Sequence, residues 1–380
     1  MRLNYKPIGD YVNLVEERNK ELQDLPLIGL SITKQFISSI ANTIGTDMST
    51  YRTIYKNQFA YSAVTSRNGD KLTIALFEDL EKGLISQAYT PFEVTDTNKL
   101  LPDYLMMWFS RPEFDRYARF KSHGSARELF SWEDLCESLM PIPSPAKQKE
   151  IVAEYDTIQN RIALNQQLIK KLEETAQAIY KNWFVDFEFP DENGKPYKSN
   201  GGEMVESELG EVPKGWEAVK LPNLIEVKYG KAYSHLEKGN IPLYGSGGIM
   251  GYVNRILYEK KSILIPRKGS LNNLLFLNKP FWCVDTMFYS VIKESNSGCY
   301  TYYHLIQMDF NSLNVGSAVP SMTTSYLNDM QIIKPSQEVL KSFEKCISNL
   351  LSIIEFRNGQ IEKLMQLQNL LLSKLATIEN

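Results

Sequence analysis

The sequence is poor in the residues that hold metals, form disulfides or cross membranes. Of 380 residues, four are cysteines and three are histidines, and no two cysteines form a C-x-x-C pair. Scattered cysteines argue against both a disulfide framework and a thiolate metal site. No apolar run reaches the roughly 18 residues that a membrane span needs. The start of the chain lacks a signal-peptide core, so we expect a cytoplasmic protein with no bound metal and no membrane contact.

Motifs for catalysis are also missing. The sequence has no G-x-x-x-x-G-K-[ST] phosphate loop, no N-P-P-aromatic methyltransferase motif and no G-x-S-x-G nucleophile elbow. The three histidines have no metal-ligand spacing, and the acidic residues form no recognisable dyad. We therefore predict a chain without catalytic residues and without a cofactor of its own.

What the sequence does contain is an ordinary globular composition with uneven charge. Apolar residues make up 43% and charged residues 23%, which is typical of two or three folded domains in a chain of this length. The net charge is −3, yet residues 216–335 carry 12 basic and 8 acidic residues. A nucleic-acid contact would therefore depend on local basic patches and not on bulk charge.

An internal repeat organises the chain. At an offset of 192, Pro143 falls on Pro335 and Lys171-Leu172 falls on Lys363-Leu364. Upstream, at an offset of 200, the triplet that begins at Arg67 falls on the triplet that begins at Arg267. The sequence thus predicts two copies of one unit, each a mixed globular part followed by a long helix.

Both predicted helices have a seven-residue apolar period, which is typical of coiled coils. The first runs from Gln148 to about Val185 without proline or glycine. Each helix places a polar residue at the same seam position, Asn165 in the first and Arg357 in the second. Because a polar seam residue fixes register at a cost in stability, we predict that the helices pair with each other. The alternative is that each helix packs only on its own domain.

The predicted fold is α+β, with two similar globular domains separated by two long helices in an antiparallel, pseudo-twofold coiled coil. The predicted segments are a first domain (1–145), a helix (146–190), a linker (191–215), a second domain (216–335) and a C-terminal helix (336–380). Each helix would be about 60 Å long at ~1.5 Å per residue. Such a molecule would present two different domains to two separate segments of a DNA duplex.

Three motifs resemble the type I restriction–modification specificity subunits. They are Gln148-Lys149-Glu150-Ile151, the run Ala178–Phe187, and Pro213-Lys214-Gly215-Trp216. The resemblance covers essentially the whole chain, although the first domain lacks the P-K-G-W start. It implies that each domain is a target recognition domain for one half of a bipartite site in double-stranded DNA. It also implies docking of two methyltransferase subunits on the helices, addition of restriction subunits, and binding of S-adenosylmethionine and ATP to those partners.

Candidate DNA-binding residues lie on predicted loops and strand ends. An arginine can bind guanine through two hydrogen bonds, an asparagine can do so with adenine, and lysines contact phosphates. The candidates in the first domain are Lys34, Arg52, Lys56, Arg67 and Asn68; those in the second are Lys231, Tyr244, Ser246, Arg267, Lys268, Ser270, Asn272 and Asn273. The competing interpretation is that these residues form solvated turns, and that the tyrosine packs in the core.

Aromatic residues gather at the end of the first helix. Trp183, Phe184 and Phe187 either cap the coiled coil or form an apolar docking surface for a partner subunit. Two other functions remain open at this stage. The chain could be a protein scaffold that does not bind DNA, or an enzyme with an unrecognised site.

Overall fold

The computed structural model describes residues 5–39, 45–66, 69, 71–123, 128–313 and 321–378. The chain divides into two compact units. The first comprises Met1–Gln166 with Gly359–Asn380, and the second comprises Gln167–Asn358. Each long helix therefore contributes one half to each unit. Among the described residues, no helix combines the length and the apolar character needed to span a membrane.

The described residues of the first unit form ten short strands and three short α-helices before the first long helix. In chain order the elements are β1 (Tyr5–Pro7), β2 (Val12–Leu14), β3 (Leu27–Leu30), β4 (Phe36–Ser38), β5 (Arg52–Tyr55), β6 (Phe59–Ser62), β7 (Ile74–Leu76), β8 (Lys82–Ile85), β9 (Tyr89–Val94), α1 (Pro102–Phe109), α2 (Pro112–Lys121), α3 (Trp132–Glu137), β10 (Leu139–Pro141) and α4 (Pro145–Phe184).

The second unit repeats this plan after an additional hairpin. Its elements are β11 (Met204–Ser207), β12 (Gly210–Pro213), β13 (Glu217–Lys220), β14 (Ile225–Tyr229), β15 (Lys238–Gly245), β16 (Gly248–Val253), β17 (Ser262–Pro266), β18 (Leu275–Leu277), β19 (Trp282–Cys283), β20 (Met287–Ile292), α5 (Gly298–Ile306), α6 (Thr324–Asp329), β21 (Gln331–Lys334) and α7 (Gln337–Lys374). The hairpin β11–β12 lies within the segment that the sequence predicts as a linker.

Sheet order confirms that the two globular parts are copies of one fold. The first unit has sheets in the order β2-β9-β6-β7 and β4-β3-β8-β5, and the second has β14-β20-β17-β18 and β16-β15-β19. In both units the second of these sheets contains one parallel pair, β3 with β8 and β15 with β19. The antiparallel pairing of β5 with β8 is reduced in the second unit to an isolated bridge between Tyr258 and Phe281.

The predicted offset of 192 is confirmed at the junction with each long helix. The short helices α3 and α6 correspond residue by residue at this offset, as do the first residues of α4 and α7. Ser131 caps α3 by accepting a hydrogen bond from the backbone of Asp134, and Thr323 caps α6 in the same way. Because the caps also correspond, the same local signals begin the helix in both copies.

Upstream, the predicted offset of 200 is wrong by four residues. The backbone N–H of Phe130 donates to Ala63, and that of Met322, its counterpart at 192, donates to Arg267. The structural counterpart of Arg267 is therefore Ala63 and not Arg67. Loops of different length change the offset between the two copies. The strands β6 and β17 share no identical residues at matching positions from which this change could be detected.

The long helices pair antiparallel within each unit. In the first unit, Ile151 of α4 lies in one core with Leu372 of α7, and the side chain of Gln368 donates to the Tyr155 hydroxyl at 3.0 Å. In the second unit, Phe184 of α4 packs edge-on against Phe343 of α7, with ring centroids 4.8 Å apart. Burial of these apolar faces, and not helix propensity alone, stabilises helices of this length.

Candidate nucleic-acid interface

Arg267 lies at the end of β17 on a platform of aromatic rings. Its guanidinium stands over Tyr229 at 4.9 Å and over Phe288 at 5.5 Å, and Nη1 donates to the Asp285 carbonyl at 2.7 Å. The residue forms no ion pair with the described residues, so none of them neutralises its charge. Stacking orders the guanidinium while most of its five N–H donors stay available for a ligand.

The turn between β15 and β16 holds the loop that follows Arg267. The Asn273 side chain donates to the carbonyl of Ser246 at 2.7 Å. Gly269 has a φ of +84°, and a Cβ there would lie 2.8 Å from the Ser246 hydroxyl oxygen. Only glycine satisfies both the backbone conformation and the close approach. The structure thus brings Ser246, Arg267 and Asn273 together, as candidates that the sequence could not connect.

The two asparagines of this loop have structural partners. Asn272 donates to the Asp309 carboxylate at 2.9 Å and accepts from the backbone N–H of Phe310 at 2.9 Å. Adenine recognition needs both the oxygen and the nitrogen of the amide, and in Asn272 both are engaged. The amide nitrogen of Asn273 is likewise used to hold Ser246. These contacts favour a positioning role for both side chains over adenine binding.

Lys231, Lys268 and Ser270 are exposed, as a DNA contact requires. The carbonyl of Lys231 accepts from the indole nitrogen of Trp282 at 3.1 Å, which fixes the backbone of its loop. The surrounding segment 228–270 carries eight basic and two acidic residues. This local positive charge, which the net charge of the chain conceals, is typical of surfaces that bind phosphates.

Tyr244 is a core residue. Only 5% of its surface is exposed, and its ring packs edge-on against Phe281 with centroids 6.4 Å apart. Burial raises the pKa of its hydroxyl. The structure therefore favours the core interpretation of Tyr244 over a DNA contact.

Exposed apolar side chains on the hairpin β15–β16 escaped the sequence analysis. Ile249, Met250 and Tyr252 each expose about half of their surface, at 51%, 56% and 52%. In the sequence, only one feature indicated these exposed side chains: the segment Gly248–Val253 has no charged residue, although three of its side chains face outward. Apolar groups beside basic loops can contact thymine methyl groups in the major groove.

In the first unit, the side chain of Lys34 is buried and paired inside the protein. Its ammonium group pairs with Asp115 at 2.7 Å and donates to the carbonyl of Phe109, and only 9% of the side chain is exposed. Burial lowers the pKa of Lys34, against the opposing effect of Asp115. A lysine neutralised inside the protein cannot serve as a phosphate anchor, so the structure argues against that candidate.

Other candidates of the first unit are placed at its surface or lie outside the described residues. Lys56 forms an exposed ion pair with Glu81 at 3.0 Å, and exposed pairs of this kind exchange readily with other ions. Arg52 is half-buried on β5, where its backbone bridges to Arg18, an exposed basic residue that the sequence analysis missed. Arg67 and Asn68 lie outside the described residues.

The aromatic residues at the end of α4 belong largely to the core of the second unit. Phe184 is 8% exposed and lies 4.6 Å from the ring of Tyr300. Phe187 packs against Trp216, with centroids 5.8 Å apart. Trp183 is half-buried and lines a groove of about 670 Å³. These contacts favour the capping interpretation for Phe184, while partner docking through Trp183 and Phe187 stays a prediction.

The polar seam residues differ in burial. Asn165 has 1% of its surface exposed, whereas Arg357 is half-buried. Their role in fixing the helix register stays a prediction.

Comparison with known proteins gives consistent matches. A family model for the type I restriction modification DNA specificity domain matches residues 213–366. The type I restriction enzyme MjaIX specificity subunit of Methanocaldococcus jannaschii is 26% identical over 303 residues, which cover 73% of this chain and 68% of that protein. The HindI specificity subunit of Haemophilus influenzae is 22% identical over 404 residues, covering 85% and 86%.

A solved structure shows the same fold. The crystal structure of the type I restriction–modification S subunit from M. genitalium superposes with a TM-score of 0.61 at 17% identity, covering 98% of this chain and 96% of that one. The matched domain and the curated relatives confirm the resemblance to type I restriction–modification specificity subunits that the sequence shows, and the shared fold agrees with it.

Proposed function

We propose that this chain is the non-catalytic, DNA-reading subunit of a type I restriction–modification complex. Each globular unit recognises one half of a bipartite, asymmetric target in double-stranded DNA. Because the two units differ in their surface residues, the two half-sites differ in sequence.

The observation that carries the proposal is the Arg267 surface of the second unit, formed by Arg267 and Lys268, the turn at Ser246, and Lys231. A guanidinium that is ordered on two aromatic rings and forms no ion pair with the described residues suits a hydrogen-bonded contact to guanine. The exposed lysines around it supply phosphate contacts, which give affinity without sequence preference. Phosphate contacts and base contacts thus occur side by side, as sequence recognition requires.

The two long helices dock two methyltransferase subunits, and restriction subunits add to that core. S-adenosylmethionine and ATP bind to these partners. The exposed apolar residues of α7, among them Leu367 and Leu370, supply surface for such an interface, since their exposures of 48% and 60% are high for leucine.

Coexpression with the methyltransferase subunit of the same system tests the proposal. We expect methylated adenines at a split, asymmetric motif when the genome is mapped, and binding of the assembled complex to that duplex should weaken steeply with salt. Methylation without a defined motif, or no salt-sensitive duplex binding, would contradict it. Binding to proteins but not to DNA would favour the scaffold alternative, and turnover by the isolated chain would favour the enzyme.

A further inference from the structure

The turn between β3 and β4 presents three uncharged side chains to solvent. It consists of residues 31–35. Ile32 exposes 53% of its surface, and Thr33 and Gln35 are exposed as well, whereas Lys34 between them points into the protein. Among the described residues, none forms a hydrogen bond with the side-chain amide of Gln35. The oxygen and the nitrogen of this amide are therefore both available to a ligand.

This turn is held in one conformation at an energetic cost. Lys34 has a φ of +63°, in the left-handed region that residues with a Cβ rarely adopt. Its ammonium group pairs with Asp115 at 2.7 Å, and the two side chains are only 9% and 11% exposed. Burying both charges costs desolvation energy, which the pairing offsets only when its geometry is good. Strained residues of this kind cluster at binding sites, where they hold neighbouring side chains ready for a ligand.

The same aspartate holds the end of the loop between β6 and β7. The backbone N–H of Leu72 donates to Oδ1 of Asp115 at 3.0 Å, and this oxygen also accepts from Lys34. The residue before Leu72 is Lys71, which is exposed and forms no salt bridge with the described residues. One carboxylate thus fixes the turn and the end of this loop relative to each other.

The second unit fixes the end of the corresponding loop in a similar way. In the pairing of β6 with β7 and of β17 with β18, Leu72 and Asn272 hold the same position. Asn272 donates to the carboxylate of Asp309 as Leu72 donates to that of Asp115. The elements that surround Arg267 in the second unit therefore have counterparts in the first.

The turn 31–35 holds the place in the first unit that the β15–β16 turn holds in the Arg267 surface. Both turns follow the strand that forms the parallel pair of its sheet. Isolated bridges show that Val64 corresponds to Lys268, just as Ala63 corresponds to Arg267. The first unit thus has no cation at either of these positions. Base recognition at the corresponding surface consequently falls to uncharged side chains.

We propose that Gln35 recognises an adenine in the half-site of the first unit. Its amide oxygen accepts a hydrogen bond from adenine N6, and its amide nitrogen donates to N7, a pair of contacts that selects adenine in the major groove. On the same surface, Ile32 supplies an apolar group for a thymine methyl, and Lys71 supplies a phosphate contact. Uncharged contacts suit this unit, because residues 15–66 carry five basic and five acidic residues. The inference rests on the proposed function, and it names a residue and a base for one of the two half-sites.

Selection from a randomised duplex by the assembled complex tests the inference. We expect Gln35→Ala to weaken binding to the wild-type motif about tenfold and to remove an adenine preference at one position of one half-site. Gln35→Glu should replace that preference by cytosine, because a carboxylate accepts from cytosine N4 but cannot donate to adenine N7. The other half-site should keep its sequence in both variants. The matched control is Gln23→Ala, at an exposed glutamine that precedes β3, and it should leave the motif unchanged.

Both Gln35 variants should fold, because the side chain is exposed and the contact of this residue with Ser31 is made by its backbone carbonyl. Equal thermal midpoints check this. Wild-type motif and affinity in both variants would overturn the inference and leave the proposed function intact. Equal weakening for specific and nonspecific duplexes would overturn it in favour of a phosphate contact, and an unchanged motif with weaker methyltransferase binding in favour of a protein contact. A wild-type complex without a defined motif would overturn the proposed function and the inference with it.

Discussion

The hairpin β3–β4 of the first unit and the hairpin β15–β16 of the second hold the same place in their sheets but make different contacts. The first turn is anchored through Lys34, whose ammonium pairs with the buried Asp115 at 2.7 Å. The second turn instead holds the loop of Arg267 through Ser246. Both hairpins expose aliphatic residues, Ile32 in one and Ile249 in the other. The hairpin is thus a constant part of the fold, and its turn carries the difference between the units.

The two copies also differ in charge over corresponding segments. Residues 228–270 carry eight basic and two acidic residues, whereas residues 15–66 carry five of each. The strand order depends on backbone hydrogen bonds and buried apolar faces, which constrain surface charge very little. We infer that duplication preserved the framework and that the second unit supplies most of the electrostatic affinity for DNA.

The largest expected effect concerns the anchor of the first hairpin. Lys34→Met leaves Asp115 buried without its cation, and we expect a loss of about 3 kcal/mol in the free energy of unfolding of the first unit. Urea denaturation monitored in that unit measures it. The exposed pair of Lys56 and Glu81 is the matched control, because Lys56→Met should cost less than about 0.5 kcal/mol. Equal losses in the two variants would show that Lys34 is a surface residue.

The charge difference can be tested by neutralising three basic residues in each unit. Replacing Lys231, Arg267 and Lys268 by glutamine should weaken DNA binding about a hundredfold and reduce the slope of log K against log salt by about 2 to 3. The same replacement of Arg18, Arg52 and Lys56 should have a smaller effect, about tenfold, because that segment is neutral overall. Titrations of the assembled complex at several salt concentrations measure both. Equal slopes would remove the asymmetry between the units.

The repeat and the helices were accessible to sequence reasoning because they depend on periodic and local signals. The heptads, the prolines before each helix and the offset of 192 are all present in the residues themselves. The register of the β-sheets was not accessible. Nothing in the sequence marks Ala63 as the counterpart of Arg267, because this equivalence depends on a hydrogen bond between segments some 60 residues apart.

Individual site residues were harder to predict for the same reason. From the sequence alone, Arg267 and Asn272 are equally good candidates for DNA contacts, since both lie in a polar loop that follows a strand. The fold separates them by bringing Asp309 and the backbone of Phe310 to Asn272, and aromatic rings to Arg267. From the sequence, Lys34 is indistinguishable from a surface lysine, and only the fold shows that it pairs with Asp115. Such partners are remote in sequence, so composition and spacing carry no signal for them.

Variants of Arg267 test whether a single side chain of the second unit recognises a base. We expect Arg267→Ala to lower specific affinity by about 1–3 kcal/mol and to relax one base position of the motif. Arg267→Lys keeps the charge but not the paired hydrogen bonds, so it should retain the salt dependence and still lose the base preference. Selection from a randomised duplex measures both. An unchanged motif in Arg267→Ala would mean that the residue contacts no base.

A smaller effect is expected from His304, which stands one turn after Tyr300 as Trp108 stands one turn after Tyr104 in the other copy. Burial lowers the pKa of His304 to about 4. Because this value lies below the usual value of 6.5, the neutral ring contributes stability that is present above pH 6.5 and is lost as the pH falls toward 4. We expect about 1–2 kcal/mol, allowing for partial solvent screening.

Unfolding of the second unit at pH 7 and pH 5 measures this loss against His304→Gln. Glutamine can form a hydrogen bond with the Tyr180 hydroxyl, which lies 3.2 Å from Nδ1 in the wild type, but does not titrate. The stability difference between the two pH values should be smaller in the variant. An identical difference in both proteins would assign the acid sensitivity to other groups.

The smallest effect should come from the apolar face of the second hairpin. Replacing Ile249 and Met250 by serine removes groups suited to thymine methyls, and we expect a loss of about 1 kcal/mol for the specific duplex with no change in salt dependence. Replacing the contacted thymine by uracil should weaken DNA binding by the wild type. It should not change binding by the double variant, because that variant no longer contacts the thymine methyl group. Leu209→Ser is the control, because Leu209 is exposed on another hairpin of the same unit. If uracil affects wild type and variant equally, the methyl is recognised elsewhere, and the apolar face of β15–β16 contributes contact area without sequence information.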